Sequence, residues 1–151
     1  VVNGLSKAAA VTGWRVGYAA GPVEMIRAMT ALQSHVTGNV SNVMQAAIAP
    51  GLQMGFPKAW LDELQQRRQL VVDCLGVPAP AGAFYVFVNI RRYGLDSVTF
   101  CQRLLNEQHV AVVPGIHFGR EGFVRISFAN SRERIQTALE RWQKFCAILL
   151  P

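Results

Sequence analysis

Between residues 83 and 149 the hydrophobic pattern changes period repeatedly, and this constrains the fold more than any other feature of the chain. Residues 83–90 (AFYVFVNI) read as a buried strand and residues 123–128 (FVRISF) as a strand of alternating burial. Between them, residues 97–108 carry apolar side chains at helical spacing, with Ser97 as the expected cap. Residues 110–113 form a short apolar run ended by Pro114-Gly115. Residues 131–149 then read as an amphipathic helix. Strand, helix, strand, strand, helix is the order of a layered α/β structure.

The first half is less regular. Residues 1–6 read as the end of a short strand and residues 14–20 (WRVGYAA) as a second one. Gly21-Pro22 breaks it, and Pro22 is placed to open a helix over 23–33, where Met25, Ile26, Met29 and Leu32 share a face. A loop at 37–39 precedes a helical stretch capped by Ser41 or Asn42, which Pro50-Gly51 and Phe56-Pro57 are expected to interrupt. A further helix is expected over 58–75, followed by the loop 76–82 (GVPAPAG), the best candidate for a domain boundary. The expected organisation is two unequal pieces, residues 1–50 and 51–151.

Composition narrows the class of protein. Half of the 151 residues are hydrophobic (51%) and only 16% are charged, which argues for a packed core rather than disorder. The net charge of +6 is spread over the chain without interleaved aromatics, so a nucleic-acid surface is not expected. No apolar run is long enough to cross a membrane, and no membrane partner is expected. Cys74, Cys101 and Cys146 form no CxxC pair, so no zinc or other metal site is expected; Cys101 and Cys146 read as small core residues of a cytoplasmic protein. The start, Val-Val-Asn-Gly, has no signal-peptide features and reads as a strand entered part-way, which suggests a fragment.

One constellation carries chemistry. Lys7 sits in Gly4-Leu5-Ser6-Lys7, and Arg15 follows in Gly13-Trp14-Arg15-Val16-Gly17. A lysine among small apolar residues would be poorly solvated, which favours the neutral amine that Schiff-base chemistry needs. An arginine fork suits a phosphate. On residue chemistry alone, a solvated loop lysine and an exposed strand arginine remain open.

The segment 3–22 (NGLSKAAAVTGWRVGYAAGP) resembles the cofactor-lysine signature of the class I and II aminotransferases. Gly4, Leu5, Ser6, Lys7, Ala10, Arg15 and Gly17 match that pattern position by position. Residues 80–85 (PAGAFY), 110–115 (VAVVPG), Phe118-Gly119 and 123–129 (FVRISFA) resemble the C-terminal part of the same family.

The resemblance implies the C-terminal part of a pyridoxal-phosphate-dependent transferase fold: a remnant of the large domain plus a small α/β sandwich domain. It implies that Lys7 holds pyridoxal 5′-phosphate and shuttles the substrate proton. Arg15, helped by Ser6, would bind the phosphate. Arg125 would bind the α-carboxylate of an amino acid or a 2-oxo acid; on chemistry alone a structural ion pair stays open. The loop 37–39 resembles one near a subunit boundary, and the full-length parent would be a homodimer. The family chain is more than twice as long, and its earlier part supplies the groups that hold the cofactor ring. The alternatives are a lyase of the same cofactor and fold type, and a catalytically inert fragment or interaction protein. The opening strands lack neighbours, so the 151 residues alone are expected to be marginally stable.

Overall fold

The computed structural model describes residues 1–55 and 57–150. The chain divides into two compact units, Val1–Lys58 and a second from Ala59 onward. The loop 76–82 lies inside the second unit.

In the first unit, β1 (Val2–Gly4) pairs antiparallel with β2 (Gly17–Ala19). A single helical turn, α1 (Leu5–Ala8), and a 3-10 turn (Thr12–Trp14) lie between them. Both strands are shorter than the sequence suggests, because the backbone turns into α1 at Leu5 and out of the 3-10 turn at Arg15. Helix α2 (Val23–Val36) follows Pro22 as expected and runs three residues past Gln33. It buries no residue: Met25, Met29, Leu32 and Val36, along one face, are all exposed.

Helix α3 (Asn42–Met54) starts after Ser41, whose side chain makes no capping bond. It continues through Pro50, contrary to the break expected there. A proline removes one bond to the carbonyl four residues back and crowds that carbonyl; against this, Met44 and Ile48, one turn apart, pack with Leu5 and Val16. Gly55 ends it with φ 72°. The other interruption expected here includes Phe56, which lies outside the described residues.

The second unit is better filled. Helix α4 (Lys58–Leu75) spans the expected range. Strands β3 (Tyr85–Asn89), β4 (Val113–Pro114) and β5 (Phe123–Ser127) form an antiparallel sheet in the order β3-β5-β4. The register sets Tyr85 opposite Ser127 and Phe87 opposite Arg125. Pro114, expected to stop β4, lies in it opposite Val124. A proline is tolerated there because β4 is an edge strand.

Strand alternation sends Val86, Val88 and Val124 to one face, where they meet α5 (Ser97–Gln108) and α6 (Arg132–Leu149). Phe100, fully buried, is the hub: its ring lies 5.2 Å from those of Trp142 and Phe145 and 5.6 Å from that of Tyr93. Cys101 and Cys146 are buried in this core as expected, and all three cysteines are free thiols.

The caps correct one expectation. Asp96, not Ser97, caps α5, its carboxylate accepting from the Val98 and Thr99 N–H groups at 3.0 and 2.9 Å. Ser97 is instead buried and donates from its N–H and Oγ to the two carboxylate oxygens of Glu121, at 2.6 and 2.8 Å. The Gly122 N–H donates to the same carboxylate at 2.8 Å. These bonds, from Gly122 foremost and then Ser97, hold the Glu121 carboxyl below its ordinary range. Ser131 caps α6 by accepting from the Arg134 N–H.

Candidate active site

The N-terminal hairpin presents Ser6, Lys7 and Arg15 from one closed unit. Gly4 faces Gly17 across the two strands. A Cβ on Gly17 would lie 2.9 Å from the Asn3 carbonyl oxygen, so only glycine permits this approach. The Leu5 N–H donates to the Val16 carbonyl (3.1 Å), extending the pairing into the first residue of α1. Leu5 and Val16 both turn inward, onto Ile48.

Lys7 follows Leu5 by two residues, and positions two apart on a helix do not share a face. Lys7 is therefore exposed, with Ser6 half-buried between them. The poorly solvated setting expected from its apolar neighbours is not formed, because Leu5 takes the inward position. The Lys7 carbonyl accepts from the Ala10 N–H at 3.3 Å, but its side chain has no hydrogen bond or ion pair among the described residues.

Arg15, expected within a strand, lies before β2 in the left-handed region (φ 53°, ψ 46°). That conformation is uncommon outside glycine and ends the 3-10 turn so that the chain can enter β2. Nη1 donates to the Thr12 carbonyl at 3.1 Å. The remaining guanidinium donors face no carboxylate among the described residues.

Arg125 stands in the second unit at the centre of β5, on the sheet face turned away from the α5–α6 core. Its guanidinium carbon lies 4.2 Å from the ring centroid of Tyr85 and 4.2 Å from that of Phe118. Phe87 meets Phe118 edge-on, with centroids 5.7 Å apart and planes at 84°. The Arg125 Nε is buried and unpaired, and the guanidinium has no acid partner among the described residues. The ion pair that residue chemistry left open is thus not formed. Tyr85 and Phe118 stand within the sequence motifs, but nothing in those motifs gives them a role. Tyr85 sits 40 residues from Arg125, and only the β3–β5 register joins them.

A cavity of about 610 Å³ in the second unit opens between α6 and residues 109–112 and is lined by none of Ser6, Lys7, Arg15 and Arg125. Among the described residues, no cluster of His, Cys, Asp and Glu is arranged to hold a metal ion. Nor is any helix long and apolar enough to cross a membrane.

Chemically, the first unit offers a primary amine with a hydroxyl and a guanidinium, and the second offers a guanidinium without an acid partner among the described residues. The family described as aminotransferase class I and II matches residues 1–141. An aspartate aminotransferase of Rhizobium meliloti (strain 1021) is 43% identical over 96% of this chain and 40% of its own length. One from Thermotoga maritima is 41% identical over 95% of this chain and 38% of its own length. The crystal structure of an aromatic aminotransferase from Pyrococcus horikoshii OT3 superposes with a TM-score of 0.88 at 39% identity, covering 97% of this chain and 42% of that one. The chain thus spans about 40% of the length of the relatives it matches. Its α/β fold is part of the fold they share, and the chain belongs to the class I and II aminotransferases.

Proposed function

We propose that this chain is part of a pyridoxal-phosphate-dependent enzyme that transfers the amino group of an α-amino acid to a 2-oxo acid. The observation that carries the reading is Arg125: a half-buried guanidinium, 4.2 Å from the centroids of two rings, without an acid partner among the described residues. A planar fork of that kind suits a carboxylate. Leaving it unmatched costs stability, and a substrate carboxylate would offset that cost.

The donors of the first unit fit the cofactor. Lys7 offers an exposed amine for an aldehyde, and Ser6 and Arg15 offer a hydroxyl and a guanidinium for a phosphate. No Cβ-sized space beside Gly4 is filled, which leaves room at the start of α1. When bound, pyridoxal phosphate supplies the aldehyde and an electron-withdrawing ring. Lys7 Nζ would hold the group at its aldehyde carbon and, once displaced from it by the substrate amine, would carry a proton from the substrate α-carbon to that aldehyde-derived carbon. Arg15 and Ser6 anchor the phosphate, and Arg125 orients the substrate through its carboxylate.

In this reading residues 1–50 belong to the large cofactor-binding domain and residues 51–151 to the small one. The parent is a cytoplasmic homodimer acting on small-molecule amino and 2-oxo acids.

The chain holds three lysines, Lys7, Lys58 and Lys144, which makes the test direct. The chain is incubated with pyridoxal phosphate, reduced with borohydride and mapped by mass spectrometry. A pyridoxyl group concentrated on Lys7 and lost in Lys7→Ala is the expected result. Equal labelling of Lys58 and Lys144 would remove the assignment of Lys7.

A further inference from the structure

We infer that Tyr85 and Phe118 are positioning residues for Arg125: an aromatic clamp that fixes the plane of its guanidinium and leaves only its edge open to a carboxylate. The inference rests on the proposed role of Arg125.

Both ring centroids stand 4.2 Å from the guanidinium carbon, well inside the roughly 6 Å reach of cation–π attraction. The two walls come from different elements, and each has its own support. Tyr85 begins β3 opposite Ser127, diagonal to Arg125 on the same sheet face, within reach of a long side chain. Phe118 ends the 3-10 turn Gly115–Phe118. That turn is tied to the entry of β5 through Gly115: a Cβ there would lie 2.4 Å from the carbonyl oxygens of both Arg120 and Phe123. The Arg120 N–H also donates to the Gly115 carbonyl, at 3.0 Å. Phe87, opposite Arg125 in the sheet, packs edge-on against Phe118.

The stack is poorly explained as core packing. Phe118 is 45% exposed, and the core of this unit is on the other face of the sheet. Its consequence is directional. Guanidinium hydrogen bonds lie in the plane of the group. With two rings 4.2 Å from the guanidinium carbon and Nε buried without a partner, the clamp would leave the Nη1–Nη2 edge as the way in. A ligand then meets an arginine already ordered, which lowers the cost of binding.

The test uses the full chain, ¹⁵N-labelled, with the Arg125 Nε–H signal assigned by its loss in Arg125→Lys. Maleate, a dicarboxylate without an amino group, is the probe. In the wild type the signal is expected to shift saturably. Phe118→Leu and Tyr85→Leu are each expected to weaken binding about three- to thirtyfold. Phe118→Tyr and Tyr85→Phe, which keep a π face, are expected to restore it to within about twofold. Phe118 is exposed enough that its replacement leaves the core intact, so at least one wall is testable in a folded chain. If the leucine variants bind maleate as the wild type does, or the aromatic variants fail to restore binding, the clamp is overturned while the role of Arg125 stands. No saturable shift in the wild type would overturn both.

Discussion

The two units of this chain place their chemistry on very different foundations. The first buries Leu5, Val16 and Ile48; the second buries fifteen hydrophobic residues, among the described positions of each. The first has a two-stranded hairpin and a helix, α2, that buries nothing. An isolated two-stranded hairpin is marginally stable at best. The second has three strands, two helices across one sheet face and an aromatic hub. Yet Lys7 and Arg15 stand on the thin unit, and only Arg125 on the filled one. A residue motif can therefore be complete where the packing that supports it is sparse. Local bonds, such as Leu5 to Val16 and Arg15 to Thr12, then carry the geometry.

The sharpest test of this contrast removes the hub. Phe100→Ala should destabilise the second unit by about 3–5 kcal/mol, read by urea unfolding from Trp142 with Trp14 and Trp60 replaced by Phe. Ile48→Ala should leave that transition nearly unmoved while amide exchange in β1 and β2 quickens. If both substitutions shift the Trp142 transition equally, the chain unfolds as one body and the contrast fails.

A smaller effect separates two glycines. Gly115→Ala drives a methyl to 2.4 Å from two backbone oxygens, and Gly17→Ala drives one to 2.9 Å from a single oxygen. Overpacking of this kind costs about 1–3 kcal/mol. For Gly115 the loss should appear in the Trp142 transition. For Gly17 it should appear only as lost amide protection in the β1–β2 pair. A Gly17→Ala chain with unchanged exchange there would show that the hairpin is already open in solution.

The smallest effect is electrostatic and belongs to the second unit alone. Glu63 accepts from Arg132 on α6 and from Arg67 one turn along α4. These bonds, Arg132 foremost, lower its carboxyl from 4.5 to about 2. Its contribution is therefore complete above pH 4.5 and disappears as the pH falls through about 2. Glu63→Gln should flatten that part of the stability profile and no other, and added salt should shrink the difference, because the pair is exposed. An unchanged profile between pH 4.5 and 2 would show that the pair contributes nothing.

Much of the second unit is legible in the amino-acid sequence, and for local reasons. Helices 58–75 and 97–108 stand at their expected bounds because helical spacing there ends at clear stops such as Gly76. Ser97 departs from expectation because a serine before a helix usually caps it, whereas here Glu121, 24 residues away, claims its hydroxyl. Pro50 departs from it because Met44 and Ile48 pack with Leu5 and Val16, contacts that the local sequence pattern does not show. Arg15 reads as a strand residue from its β-branched and aromatic neighbours, and its left-handed backbone has no sequence signal outside glycine. Of the proposed site, Lys7 and Arg15 stand out in the motif itself. The stacking on Arg125 does not, since register and a turn bring its parts together.

Glu121 has a consequence beyond capping. With one carboxylate it holds the first residue of α5 and the residue that leads into β5. Helix start and strand entry are thus joined through one side chain. Arg125 stands four residues beyond that carboxylate and Phe118 three before it. A displacement at the N-terminal end of α5 would reach both through a single side chain, without passing through the hydrophobic core.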